Sequence, residues 1–220
     1  MDLIEAIKSR RSIRGFKQEP VSRDILTEVL QIARQAPSGV NAQTWEFVVL
    51  TGDTLEMIKQ ANEEHSARGV EPHPNLGYVP LTGSYLKRQV ELGAKLYKLL
   101  GIAREDKDRR REWGKKGLRF FDAPAAILIC DDQETPQLIS LFNLGIVTQT
   151  IALAALHFGL GTCIQRAAVN YPDIIREITG IPKSKRIYVS IAIGYPDREH
   201  PANKLHSSRE PLRKLTTWVT

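Results

Sequence analysis

The chain has 220 residues, 42% hydrophobic and 25% charged, with a formal net charge of +6. This is close to the globular average and long enough to bury a substantial core, which excludes a disordered, fibrous or disulfide-dense chain. The mild basic excess admits nucleic acid and an anionic small ligand equally.

Asp2 to Ser9 reads as a first helix, with Leu3, Ile4 and Ile7 on one face. The stretch from Met1 to Arg10 mixes charged and apolar residues without a continuous apolar region, so no secretory signal is read. Arg10-Arg11-Ser12-Ile13-Arg14 follows, with three guanidinium groups and a hydroxyl in five residues. Guanidinium forks match phosphate oxygens, and a nearby helix end supplies further donors. Ser22 is a good N-cap for a second helix carrying Ile25, Leu26, Val29, Leu30 and Ala33. That helix stops at the loop Ala36–Gln43, and Trp45–Leu50 reads as a strand.

A helix is expected over Asp53–Ala67 and a long excursion over Gly69–Gly83, of the kind that forms lids. Tyr85–Gly117 is charged and helical, and its run Arg104–Lys116 carries both signs with one aromatic, Trp113. Ala125–Cys130 has strand length. Leu138–Leu160 is apolar enough to resemble a membrane span, but it holds Asn143, Thr148, Gln149, Thr150 and His157, so it reads as a long buried helix. Thr162–Ala168 reads as a short strand and Tyr171–Thr179 as a helix closed by Gly180. Arg186–Tyr195 is the most strand-like segment, Pro196–Arg209 a polar loop and Leu212–Val219 a tail. With no repeat or linker visible, residues 1–220 are expected to form one domain. Cys130 and Cys163, each in an apolar run, suit buried thiols in a reducing, cytoplasmic setting.

Several chemistries have no motif here. There is no G-x-G-x-x-G after a strand, no P-loop, no G-x-S-x-G elbow and no metal-ligand spacing among the five histidines. A phosphate-binding cluster without evident catalytic side chains points to a cofactor that carries the chemistry.

Four motifs in order then resemble the nitroreductase family of FMN-dependent oxidoreductases. They are Arg10-Arg11-Ser12-Ile13-Arg14, the loop Ala36–Trp45 (APSGVNAQTW), Gly159-Leu160-Gly161-Thr162-Cys163, and Arg209-Glu210-Pro211-Leu212. Leu96–Asp106, Phe120-Phe121-Asp122-Ala123-Pro124 and Gln165 resemble the nitrobenzoate-reductase-like subgroup. The resemblance implies an α+β fold in three layers, with a central mixed, mostly antiparallel sheet flanked by helices, in an intertwined homodimer. It also implies FMN as cofactor and NAD(P)H as reductant in a ping-pong reduction of nitroaromatic, quinone or related electron-poor acceptors. The hydride would travel through flavin N5, with no catalytic side chain.

Matched residue by residue, Arg10, Ser12 and Arg14 would meet the phosphate and ribityl chain, Arg11 mainly through its backbone, with Ser207 and Arg209 closing from the far end. Pro37, Ser38, Gly39 and Asn41 would reach the flavin of the other subunit, and Ile164, Gln165 and Arg166 would lie along the ring system. Gly39 and Thr44 depart from the family's serine and proline, and Ser207 stands where many members have a basic residue. Residues 69–117 are expected to roof the pocket, with Tyr85, Lys87 and Arg88 as candidate acceptor contacts. The rivals are reductive dehalogenation or another flavin reaction on the same fold and, from another class, a basic nucleic-acid-binding module. The charge balance of residues 104–116 speaks against the latter. Neither nucleic acid, nor membrane, nor a bound metal is expected.

Overall fold

The computed structural model describes residues 2–220. Four strands form one sheet in the order β1-β2-β4-β3: β1 (Glu46–Thr51), β2 (Ala125–Asp132), β3 (Gly161–Gln165) and β4 (Lys185–Gly194). Every pairing between these strands is antiparallel, and the one parallel contact among the described residues outside them is the single bridge Ser12–Thr162. β2 and β4 run through the middle of the sheet, which is why both read as near-continuous apolar segments.

Seven α-helices surround the sheet among the described residues: α1 (Leu3–Ser9), α2 (Arg23–Ala33), α3 (Gly52–Ala67), α4 (Gly83–Leu99), α5 (Lys107–Leu118), α6 (Gln137–His157) and α7 (Pro172–Thr179). Alternation along β2 separates two cores. Ala125, Ile127 and Ile129 face α2 and α6, while Ala126, Leu128 and Cys130 face α3 and α7. The result is helices, sheet, helices: three layers, as expected.

Local signals are realised where the sequence placed them. The Ser22 hydroxyl accepts from Ile25 N at 3.3 Å, and Gly159 and Gly180 end their helices at φ +71° and +74°. The charged run of α5 is partly a cap. Arg109 donates to the Gly101 and Leu100 carbonyls at 2.8 and 3.4 Å, and Arg110 donates to Ala103 O while lying over the Tyr97 ring. Cations at the carbonyl end of α4 are favourable to its dipole.

Some expectations change. β3 stops at Gln165, and Ala167–Val169 is a 3-10 turn rather than more strand. α1 buries only Ala6, and its apolar positions Leu3, Ile4 and Ile7 face outward. α6 is long and apolar enough to cross a membrane, and half of its most apolar window is buried within the chain. It is therefore not wholly buried: Leu138 and Phe142 are 85% and 71% exposed on one face.

One backbone feature has no sequence precursor. Phe120, Phe121 and Asp122 all sit at positive φ, between +54° and +56°, forming a left-handed turn of three non-glycine residues. That conformation costs about 1–2 kcal/mol per residue, so the surroundings must hold it. They do so with side chains. The Asp122 carboxylate accepts from Arg119 at 2.8 and 3.1 Å and also from Lys116, and Lys59 Nζ reaches Ala123 O at 2.9 Å.

Candidate functional site

The basic segment is laid against the free edge of β3. Ser12 bridges Thr162, and Ile13 N donates to Thr162 O at 2.9 Å. Gly161 makes this approach possible: a Cβ there would stand 2.5 Å from Ile13 Cγ1 and 2.9 Å from Pro196 Cγ. The residues after β4 lock the segment from the other side. Asn203 Oδ1 accepts from Arg14 N at 2.7 Å, while its amide nitrogen donates to Gly15 O and Asp197 O, both at 2.7 Å. Asn203 is buried, so all three bonds are made away from water.

Between these two chain ends lies a cleft of about 350 Å³, with residues 7–11 on one wall and His206, Ser207 and Arg209 on the other. Arg11 Nη1 lies 3.4 Å from His206 Nε2, and Arg11 Nε is buried without a partner. Arg209 Nη1 is held to its own segment by Ser207 Oγ at 2.7 Å and by the carbonyls of Ser207 and Ser208, both at 3.1 Å. Behind the cleft, burial pushes the Cys163 thiol up, against the opposing pull of Arg14, Ser12 and Arg10. Of the residues singled out in the sequence, Arg10, Arg11, Ser207 and Arg209 line this cleft, while Ser12 and Arg14 lie beside it, Ser12 bridged to β3 and Arg14 held by Asn203. The sequence pattern missed His206 and Asn203. His206 stands three residues before Arg209 in a segment already singled out, whereas Asn203 had no signal beyond a lone amide in a polar loop.

Further along β3, Ile164 is partly exposed, while both amide atoms of Gln165 are buried with no partner. α5 closes over this point through Gly117, where a Cβ would sit 3.2 Å from Ala167 Cβ and 3.7 Å from Gln165 Oε1. Arg166 behaves otherwise than expected. Its guanidinium turns to the excursion, donating to Leu76 O and to Gly77 O at 3.2 Å.

The loop before β1 does not join this cleft. The Ser38 hydroxyl accepts from Gln43 N at 2.9 Å, and Gly39 N donates to Asn143 Oδ1 at 3.1 Å. Gly39 and Val40, with Leu138, Ile139, Phe142 and Asn143 of α6, line a separate apolar recess of about 420 Å³. Val40, Asn41 and Gln43 all have positive φ, so the loop is held in a demanding shape. On α4, Tyr85, Lys87 and Arg88 are exposed. Arg88 lies over the Tyr85 ring at 4.9 Å and pairs with Glu210 at 3.2 Å, which ties the excursion to the residue after Arg209.

The donor set fits a phosphorylated, nitrogen-rich ring cofactor. The arginines and serine hydroxyls suit a phosphate dianion, and the orphaned Gln165 amide suits a ring edge that both donates and accepts.

Comparison with known proteins agrees. The Nitroreductase family pattern matches residues 7–195. The chain is 31% identical to the nitrobenzene nitroreductase of Ectopseudomonas oleovorans, covering 98% of this chain and 96% of that one. It is 30% identical to the 4-nitrobenzoate reductase of a Nocardioides species, over 97% and 88% of the two chains. Its fold superposes on the FMN- and NADPH-dependent nitroreductase of a Sphingopyxis strain with a TM-score of 0.95, at 30% identity over 100% of both chains. With the FMN-dependent nitroreductase of Mycolicibacterium (Mycobacterium) smegmatis, solved in complex with NADPH, the TM-score is 0.93 at 26% identity, over 99% and 97%.

Proposed function

This chain belongs to the nitroreductase family, and from that premise we propose which of its residues hold FMN and how they serve an acceptor. The protein is an FMN-dependent oxidoreductase that uses NAD(P)H to reduce small electron-poor aromatics of the nitroaromatic class. Bound FMN supplies the two-electron chemistry linking reductant and acceptor.

The chain's own contribution is binding, orientation and field. Arg10, Arg11 and Arg209 hold the phosphate with Ser207, and His206 steadies Arg11. Ser12 and Arg14 follow the cofactor along the edge of β3, where Gln165 offers the ring a donor and an acceptor. Pro37, Ser38, Gly39 and Asn41 serve the second site of a homodimer: Gly39 of this loop borders a recess on the exposed face of α6, and none of the four lines the chain's own cleft. Residues 1–220 act as one FMN-binding unit with 69–117 as its lid, in the cytoplasm and without nucleic acid or membrane. The fate of Arg109 and Arg110, spent on the end of α4, supports the exclusion of nucleic acid.

The observation that carries the reading is the arginine-lined cleft closed by both ends of the chain. Titration of FMN into apo protein tests it. Arg10→Ala and Arg209→Ala should each weaken binding by about 1.5–3 kcal/mol, the range for hydrogen bonds to charged groups. Unchanged affinity in both would remove the assignment.

A further inference from the structure

The left-handed turn at residues 120–122 sets three consecutive non-glycine residues at positive φ, and burial of Phe120 alone does not explain it. Phe120 alone fills the core beneath it, fully buried. Phe121 is only partly buried and turns its ring toward the basic segment, 5.8 Å from the Arg14 guanidinium carbon. On its other side the ring meets Trp113 of α5 at 6.0 Å, and Trp113 meets His200 at 6.2 Å. Arg14 is thus fixed twice, at its backbone by Asn203 and at its head by an aromatic ring.

We propose that Phe121, presented by this turn, is a positioning residue that aims the Arg14 guanidinium at the cofactor. The proposal rests on the reading of Arg14 as a cofactor contact. A free arginine samples many rotamers, and a cation held over a ring face samples fewer, so less is lost when it bonds an anion. The Asp122 carboxylate keeps the turn in place: with Arg119 and Lys116 bonded to it, the positive φ values persist. Trp113 belongs to α5, so this ring contact also links α5 to the residue that faces Arg14.

The test measures FMN dissociation constant, midpoint potential of the bound flavin, and melting temperature in wild type, Phe121→Leu, Phe121→Tyr, Arg14→Gln and the Phe121→Leu/Arg14→Gln double variant. Phe121→Leu should weaken FMN binding roughly two- to five-fold, the size of an exposed cation–π contact. It should also move the flavin potential to more negative values, since a looser cation favours added electrons less. Phe121→Tyr, which keeps the ring, should restore both. In the Arg14→Gln background, Phe121→Leu should have no further effect on either. If Phe121→Leu does not fold, Phe121→Met keeps the side-chain volume and is read in the same way. A fall in melting temperature with affinity and potential unchanged would overturn the proposal, as would equal effects with and without Arg14. Failure of wild type to bind FMN would instead overturn the cofactor reading beneath it.

Discussion

At the scale of single residues, the site depends on what is small or uncharged as much as on its arginines. Gly161 has ordinary φ, so it is required by space: its missing Cβ is what lets Ile13 and Pro196 close on β3. Gly161→Ala should lift the basic segment from the strand, destabilising the fold by about 1–3 kcal/mol, as overpacking does. FMN retention should fall in parallel, which gel filtration followed by flavin absorbance would show. The sequence made the arginines legible because charge clusters are visible without coordinates. Gly161 was legible only through a motif, and its physical reason, contact with a side chain 148 positions away, was not. Asn203 illustrates the limit. Its three bonds organise the site, yet a lone asparagine in a polar loop has no pattern to betray that.

At the scale of elements, periodicity gave helices and strands nearly in place, while the turns between them depended on tertiary partners. β4, alternating Ile187, Val189, Ile191 and Ile193, was plain. The turn at 120–122 was not, because no local propensity favours Phe, Phe and Asp at positive φ, and it is held by Arg119 beside it and by Lys59 from a distant helix. The segment after β4 adds a pH-sensitive joint. Burial, helped by Lys116 and opposed by Asp197, holds His200 below its ordinary pKa of 6.5. Its Nδ1 accepts from Ala202 N at 3.2 Å, a bond that suits the neutral ring. The unfolded chain therefore takes up the proton more readily. Stability from this group is fully present above pH 6.5 and is lost as pH falls through the lower folded value. Melting temperature should accordingly decline on acidification from pH 7. In His200→Gln the decline over that window should be shallower.

At the scale of the whole molecule, the exposed apolar residues are not scattered. Val40, Leu138, Ile139 and Phe142 border one recess, and Val40 is 100% exposed. α1 presents Leu3, Ile4 and Ile7, and the tail presents Leu212, Leu215, Trp218 and Val219. A soluble chain rarely leaves so much apolar surface uncovered, which is why a homodimer is expected. Light scattering should give a dimer at micromolar protein. Phe142→Glu should shift it toward monomer and loosen FMN together, since Gly39 and Val40 of the loop line the same recess. The sequence made α6 legible as apolar but not as half-exposed, because hydropathy does not distinguish a face buried in one chain from a face reserved for two. The cleft also bears on biosynthesis. One wall is residues 7–11 and the other is residues 206–209, joined through Asn203. The two walls stand 195 positions apart in the chain, from Arg11 to His206, so a growing polypeptide carries the first long before the second. The cleft is then whole only after the later segment has been made and has folded back on the earlier one. A chain interrupted before residue 206 should keep strands β1–β4 and helices α1–α7 yet only one wall of this cleft, and its FMN retention, read by flavin absorbance, should fall accordingly.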